Sequence, residues 1–322
     1  MKSILILIII LLYNQKDIYS QVYSKQLNID EYLTELNYES SNLLTLITKA
    51  DDDNIVLYDM SLNRLVYYNL EKNISHEIIL KQGNGEFEIG MISSLVLVKD
   101  KIFLLDVKHA KILYIDLLDN FKMNEFALDS VGETLIYSDV ENRLILFSSI
   151  NPICSFYSLD GDLDMNIDYN VNYTNYILND FFKAKGTKYY YNKKYYIFST
   201  SYPQYFVFDN IVFKEMGIAG YIPKITNKKH LKNKVSASEF YQLNADYFKH
   251  FALLNYRGSS DNIEFMNDEI IVQNLISELT ERVKINKKYV NIFIDKKKKY
   301  LFLITVYGKI ARIPLEIILK YD

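Results

Sequence analysis

Apolar residues along this chain come in short runs separated by polar breaks, and the runs come in pairs. Asp53-Asn54-Ile55-Val56-Leu57-Tyr58-Asp59 is followed, across the linker Asp59-Met60-Ser61-Leu62-Asn63, by Arg64-Leu65-Val66-Tyr67-Tyr68-Asn69-Leu70. The pair returns 47 positions later (residue 53 to residue 100) as Asp100-Lys101-Ile102-Phe103-Leu104-Leu105-Asp106 and Lys111-Ile112-Leu113-Tyr114-Ile115-Asp116-Leu117. Ile, Val, Leu, Tyr and Phe suit a pleated, half-buried surface, and the Asp, Asn and Ser of the linkers favour turns. Each pair therefore predicts two β-strands joined by a tight turn. Many runs are apolar throughout rather than alternating, as in a sheet packed on both faces.

The pair can be followed to the end of the chain. Leu144–Ser148 precedes Cys154–Gly161, and Tyr195–Ser199 precedes Tyr205–Asp209. A weaker copy sets Phe251–Leu254 against Ile263–Phe265, and the last sets Leu301–Thr305 against Lys309–Ile313. Starts at 55, 102, 144, 195, about 251 and 301 make six units. A period in the forties built from strand pairs marks a radially repeated fold. Roughly 45–50 residues hold four strands with their connections. The prediction is an all-β, six-bladed β-propeller of four-stranded antiparallel blades, with no room for a seventh. A β-sandwich is disfavoured, because its strands lack a higher period. Helical spacing is confined to 28–36 and 274–282, and the second also reads as a strand. Propellers commonly complete one blade from both chain ends. Ser41–Thr48 and Ile313–Leu319 are therefore expected in the same or adjacent sheets.

The N-terminus sets Lys2 before the apolar run Ile4–Leu12, too short to span a bilayer but suited to a signal-peptide core. Ser20-Gln21 fits a cleavage site. The expectation is a signal peptide over 1–20, one propeller domain over 21–322, and a secreted or periplasmic location without a lipid anchor or transmembrane segment. The net charge of −3 gives no reason to expect a nucleic-acid partner. Only 10 Gly and 4 Pro mean that Asn, Asp, Ser and Lys must make the turns. Cys154 stands where the earlier copies have Leu65 and Ile112, which predicts a small buried hydrophobe.

Lys81-Gln82-Gly83-Asn84-Gly85-Glu86-Phe87 resembles the Gly-x-Gly-x-Gly-Glu-Phe turn of six-bladed propellers of the NHL and TolB-like kind, with Lys81 in place of the first Gly. The strands at 102–106 and 111–116 fit the same pattern. The chain resembles the secreted six-bladed propellers common in Bacteroidetes. That resemblance is sharp over about 50–120 and implies the fold rather than an activity. In the turn, Gly83 and Gly85 supply backbone freedom and Glu86 is expected to accept hydrogen bonds from turn amides. Phosphate binding there would need a following helix, and a strand follows instead.

Candidate chemistry is sparse. His76, His109, His230 and His250 have no ligand-spaced neighbours, and His109 takes the place of Leu62 in a linker, which predicts a solvated turn. Asp160-Gly161-Asp162-Leu163-Asp164 spaces carboxylates like a calcium loop but lacks its distal Glu, so a blade turn is expected. Asp51–Asp53 and Lys296–Lys299 read as solvated turns, and Lys224–Lys234 as a solvated or docking loop. Tyr189–Tyr191, Tyr195, Tyr196, Tyr202, Tyr205 and Phe206 could form a ligand platform. No catalytic, cofactor-binding or metal-binding residue is assigned, and no cofactor. The expected function is a monomeric binding or scaffold module for a protein or glycan ligand. The alternative is a propeller hydrolase or lactonase with a metal at the central channel.

Overall fold

A computed structural model describes residues 25–34, 46–72, 74–98, 100–148, 154–167, 186–199, 204–208, 213–217, 242–257, 267–305 and 309–319. The leader and its cleavage site, His230 and the basic stretch 224–234 lie outside them. Two short strands come first, β1 (Lys25–Leu27) and β2 (Leu33–Thr34), with a 3-10 turn at Asp30–Tyr32 between them. Four-stranded groups follow. The first is β3 (Leu46–Asp51), β4 (Asn54–Asp59), β5 (Arg64–Asn69) and β6 (Ile74–Ile79). Next come β7 (Ile92–Val98), β8 (Lys101–Asp106), β9 (Lys111–Asp116) and β10 (Lys122–Ala127), then β11 (Thr134–Ser138), β12 (Arg143–Phe147), β13 (Cys154–Tyr157) and β14 (Leu163–Ile167). The fourth group is β15 (Gly186–Tyr191), β16 (Lys194–Ser199), β17 (Gln204–Phe208) and β18 (Phe213–Gly217). The chain ends with β19 (Gln242–Phe248), β20 (Phe251–Arg257), β21 (Asn267–Asn274), β22 (Thr280–Asp295), β23 (Tyr300–Thr305), β24 (Ile310–Pro314) and a helical turn at Leu315–Ile318.

Each repeat copy forms the middle two strands of an antiparallel group, as in β4–β5, where Tyr58 faces Leu65, and β8–β9, where Leu105 faces Ile112. The weak fifth copy is β20–β21, so its second strand is Asn267–Asn274 rather than 263–265, which lies outside the described residues. Neither helix nor continuous strand occupies 274–282. The Asn274 side chain accepts the amides of Ile276 and Ser277, which turns the chain between β21 and β22. Among the described residues of 28–36, which end at 34, Asp30–Tyr32 forms a single 3-10 turn before β2.

The long strand β22 belongs to two groups. Its first half pairs with β21, its second half with β23, and its end meets β3 in a parallel bridge at Asp295 and Ala50. This welds the first and last groups into one continuous sheet. The last group is completed at its outer edge by β2, with Leu33 opposite Ala311, and β1 lies parallel to β22 with Lys25 opposite Val283. Both chain ends therefore meet in adjacent groups as expected, yet the completing strand is Leu33–Thr34. Of the expected 313–319 strand, 315–318 is a helical turn.

Among the described residues, buried apolar side chains fall into six clusters, each shared by two successive groups. Phe103 and Leu104 show why the runs are apolar throughout: Leu104 packs toward the first group and Phe103 toward the third. One cluster joins Ala50, Ile55, Leu57 and Val66 of the first group to Phe293, Phe302 and Ile304 of the last. Cys154 is fully buried between the third and fourth groups. Tyr195, Tyr196 and Tyr205 are buried in the same way, so the tyrosine run is mainly core rather than a surface platform. The inner strands β3, β7, β11, β15 and β19 and the second half of β22 lie side by side in that order, and β22 returns to β3.

Candidate binding face

The connections differ sharply between the two ends of the sheets. At one end the first strand of a group turns to its second through positions such as 52–53, 192–193 and 296–299, and the third to its fourth through 117–121 and 275–279. These are tight hairpins with positive φ at Asp52, Asp53, Asn192, Lys193 and Lys299, where an Asn-Gly pair is usual. The other end carries the second-to-third turns and the passages from group to group. Between the described strands, the two longest intervals, 168–185 and 218–241, both begin and end there.

Within the described part of that end, Asp106 organises the structure. It is fully buried at the end of β8 and accepts the amides of Gly90 at 2.7 Å and Met91 at 3.0 Å, from the loop that enters β7. It also accepts the Lys108 amide and sits 2.8 Å from His109 Nδ1. His109 Nε2 then reaches Asn84 Oδ1 at 3.0 Å. His109 is thus held between a buried carboxylate and the glycine turn, not left in a solvated linker. Burial pushes the Asp106 carboxyl up, and the amides of Met91 and Gly90 with His109 outweigh it, so it lies below its ordinary value.

The glycine turn is held from inside. Glu88, not Glu86, accepts the Gly85 amide at 2.8 Å, and it is ion-paired with Lys81. A side chain at Gly83 would collide with the Glu88 carboxylate. The Lys81 hydrogen bond, then the Gly85 amide, keeps the Glu88 carboxyl below its usual range. Phe87, at φ 56°, donates its amide to Glu125, which pairs with Lys111 at 2.6 Å. The same end also carries the exposed apolar side chains of Met60, Leu62, Ile79, Met91 and Val131. Met91 immediately precedes the inner strand β7, and Val131 lies three residues before β11.

The opposite end carries the two charge runs, and they meet. The Asp53 amide donates to Asp295 at 2.8 Å, Arg312 reaches Asp53 at 2.5 Å, and Lys298 lies 3.1 Å from it. Lys297 pairs with Asp52. Turns expected to be merely solvated form a clasp across the junction of the first and last groups. Of the calcium-like residues, Asp164 pairs with Arg143 and Asp160 lies 3.8 Å from Lys101, so their carboxylates diverge. Among the described residues, no three His, Cys, Asp or Glu side chains are placed to hold a metal ion. On the inner strands, Asp246 accepts the Ile294 amide at 2.9 Å and lies 3.6 Å from Lys49 Nζ.

Four-stranded antiparallel groups packed face to face around their inner strands define a β-propeller. No family model and no curated protein matches the sequence. Solved structures do match. One is a protein of Bacteroides fragilis described as exported, with 12% identity and a TM-score of 0.52 over 88% of this chain and 86% of that one. Another is virginiamycin B lyase from Staphylococcus aureus, with 11% identity and a TM-score of 0.50 over 85% of this chain and 82% of that one. At such identities the likeness shows the propeller fold alone. No helix among the described residues is long and apolar enough to cross a membrane.

Proposed function

We propose that the chain is an exported six-bladed propeller of the NHL and TolB-like kind that acts as a binding module for a protein or glycan ligand. Residues 1–20 are read as a leader cut between Ser20 and Gln21, and 21–322 as one domain. Six clusters between successive groups and the return of β22 to β3 support the closed ring. The likeness to a protein described as exported supports the location.

The observation that carries the binding reading is the asymmetry of the two ends. Insertions in a repeat fold gather on one face, and loops on a rigid scaffold are where recognition sits. Here the two longest intervals between described strands begin and end on one side, while short hairpins and a charge clasp occupy the other; exposed apolar side chains stand at both, Met60, Leu62 and Met91 at the first and Leu118, Val140 and Ile276 at the second. The enzyme alternative calls for acidic groups free at the axis, and there Asp246 is engaged by Lys49 and the Ile294 amide.

The test is partner capture by chemical cross-linking in the envelope of the source organism, together with a glycan array. A Met60→Lys, Leu62→Lys, Met91→Lys variant should lose the captured ligand. Ile276→Lys with Leu279→Lys, at the hairpin end, should retain it. Equal binding by both variants would contradict the assignment of the face.

A further inference from the structure

Asn84 and Gly85 are the only Asn-Gly pair in the sequence. In such a pair the backbone nitrogen of the glycine can attack the asparagine side-chain carbonyl and close a five-membered imide, with no Cβ on the attacking residue to obstruct it. The fold sets one group on each partner of that reaction. His109 Nε2 lies 3.0 Å from Asn84 Oδ1, and its Nδ1 is held 2.8 Å from the buried Asp106. Nδ1 donates to the Asp106 carboxylate, so Nε2 donates to Asn84 Oδ1 only when the ring is the doubly protonated imidazolium, and it is in that form that His109 polarises the amide carbonyl. On the other side, the Gly85 N–H donates to Glu88 Oε2 at 2.8 Å, with Lys81 keeping that carboxylate charged.

We propose that Asn84–Gly85 is a self-modification site of the folded protein, with His109 as the acid on the Asn84 amide and Glu88 as the base on the Gly85 nitrogen. Gly85 N forms a bond to Asn84 Cγ as its proton passes to Glu88, and the carbonyl electron pair moves onto Oδ1 beneath His109. The Cγ–Nδ2 bond then breaks, and Nδ2 leaves as ammonia with the proton returned from Glu88. Water opens the imide at Cγ to give aspartate at position 84, or at the backbone carbonyl to give isoaspartate. No electrons are exchanged with any other group. Asp106 is a positioning residue. The product adds a negative charge at the end that carries Met60, Leu62 and Met91 and sets a second carboxylate against His109, so the modified face differs in charge from the nascent one.

The opposing account is that the same two bonds merely fasten the loop and protect the pair. Incubating the purified protein at neutral pH, native and in parallel in urea, separates the two. Peptide mass spectrometry then reads the mass gain of an amide-to-acid change at residue 84. A well-placed acid or base contributes on the order of 10²-fold, so the native rate should exceed the rate in urea by at least about tenfold. His109→Leu, which restores the residue of the matching turn, and Glu88→Gln should each bring the native rate down toward the urea value, with unchanged circular dichroism. A native rate equal to or below that in urea would overturn the proposal.

Discussion

Single side chains at strand ends do much of the ordering in this molecule. Asp106, Asp116, Asn274 and Asp295 each accept amides two and three residues on, the local bond that makes Asp and Asn turn formers. The turns after Asp106 and Asp295 were legible from their residue types, whereas the one after Asn274 was not, because 274–282 has the spacing of a helix and also reads as a strand. The role of His109 was not legible either. It lies in a turn of ordinary composition, and its partner Asn84 sits 25 residues earlier in the chain, a separation set by the docking of one group on the next. The Glu86-to-Glu88 correction has the same origin: only the closed loop shows which carboxylate points inward. Asp106→Ala would leave the Gly90 and Met91 amides without their acceptor, at about 1–3 kcal/mol for a buried unsatisfied group. Urea unfolding should show that loss, together with faster hydrogen exchange at residues 84–91.

At the scale of elements, the strand pairs, apart from the second strand of the fifth, were legible because both of their faces are buried, while the outer strands β6 and β10 carry mixed polar patterns and no repeat signal. The split use of β22 was hidden for a related reason: one run of residues serves two sheets. The hairpins without glycine carry strain at positive φ. Lys193→Gly should relieve part of it and raise stability by about 1 kcal/mol, read as a higher unfolding midpoint. The charge clasp is an element-level device assembled from turns at opposite ends of the sequence. The hydrogen bond from Lys297 holds the Asp52 carboxyl below its ordinary value, and Lys297 and Lys298 are held above theirs by Asp52 and Asp53 respectively. A lowered carboxyl contributes stability above its unfolded pKa and loses it as pH falls through the folded one. A raised ammonium contributes below its unfolded pKa and loses it as pH rises through the folded one. The clasp should therefore act from about pH 4 to about pH 10. A Lys297→Ala, Lys298→Ala variant should be less stable than the parent within that window, and most clearly at low salt. The difference should shrink in acid. A gap unchanged at pH 2 would show that the lysines act otherwise.

At the scale of the whole molecule, the fold is a β-propeller, and its export is a proposal. Export predicts that the mature protein begins at Gln21, and mass spectrometry of the exported form reads this directly; a retained Met1 would refute it. Closure rests on the N-terminal segment. Ile29 is fully buried, its amide is held by Asn286, Asp30 pairs with Lys287 at 2.7 Å, and Leu33 sits opposite Ala311. This was legible only as a rule about chain ends. The residues that carry it are two short strands whose pattern is too brief to stand out. The most direct test is a cysteine pair, Leu33→Cys with Ala311→Cys, in a Cys154→Ser background. Cross-strand neighbours lie within disulfide reach, so mild oxidation of the folded monomer should link the two ends and raise the unfolding midpoint. If the two thiols stay reduced in the folded monomer, or link only between chains, the ring is not closed in this way.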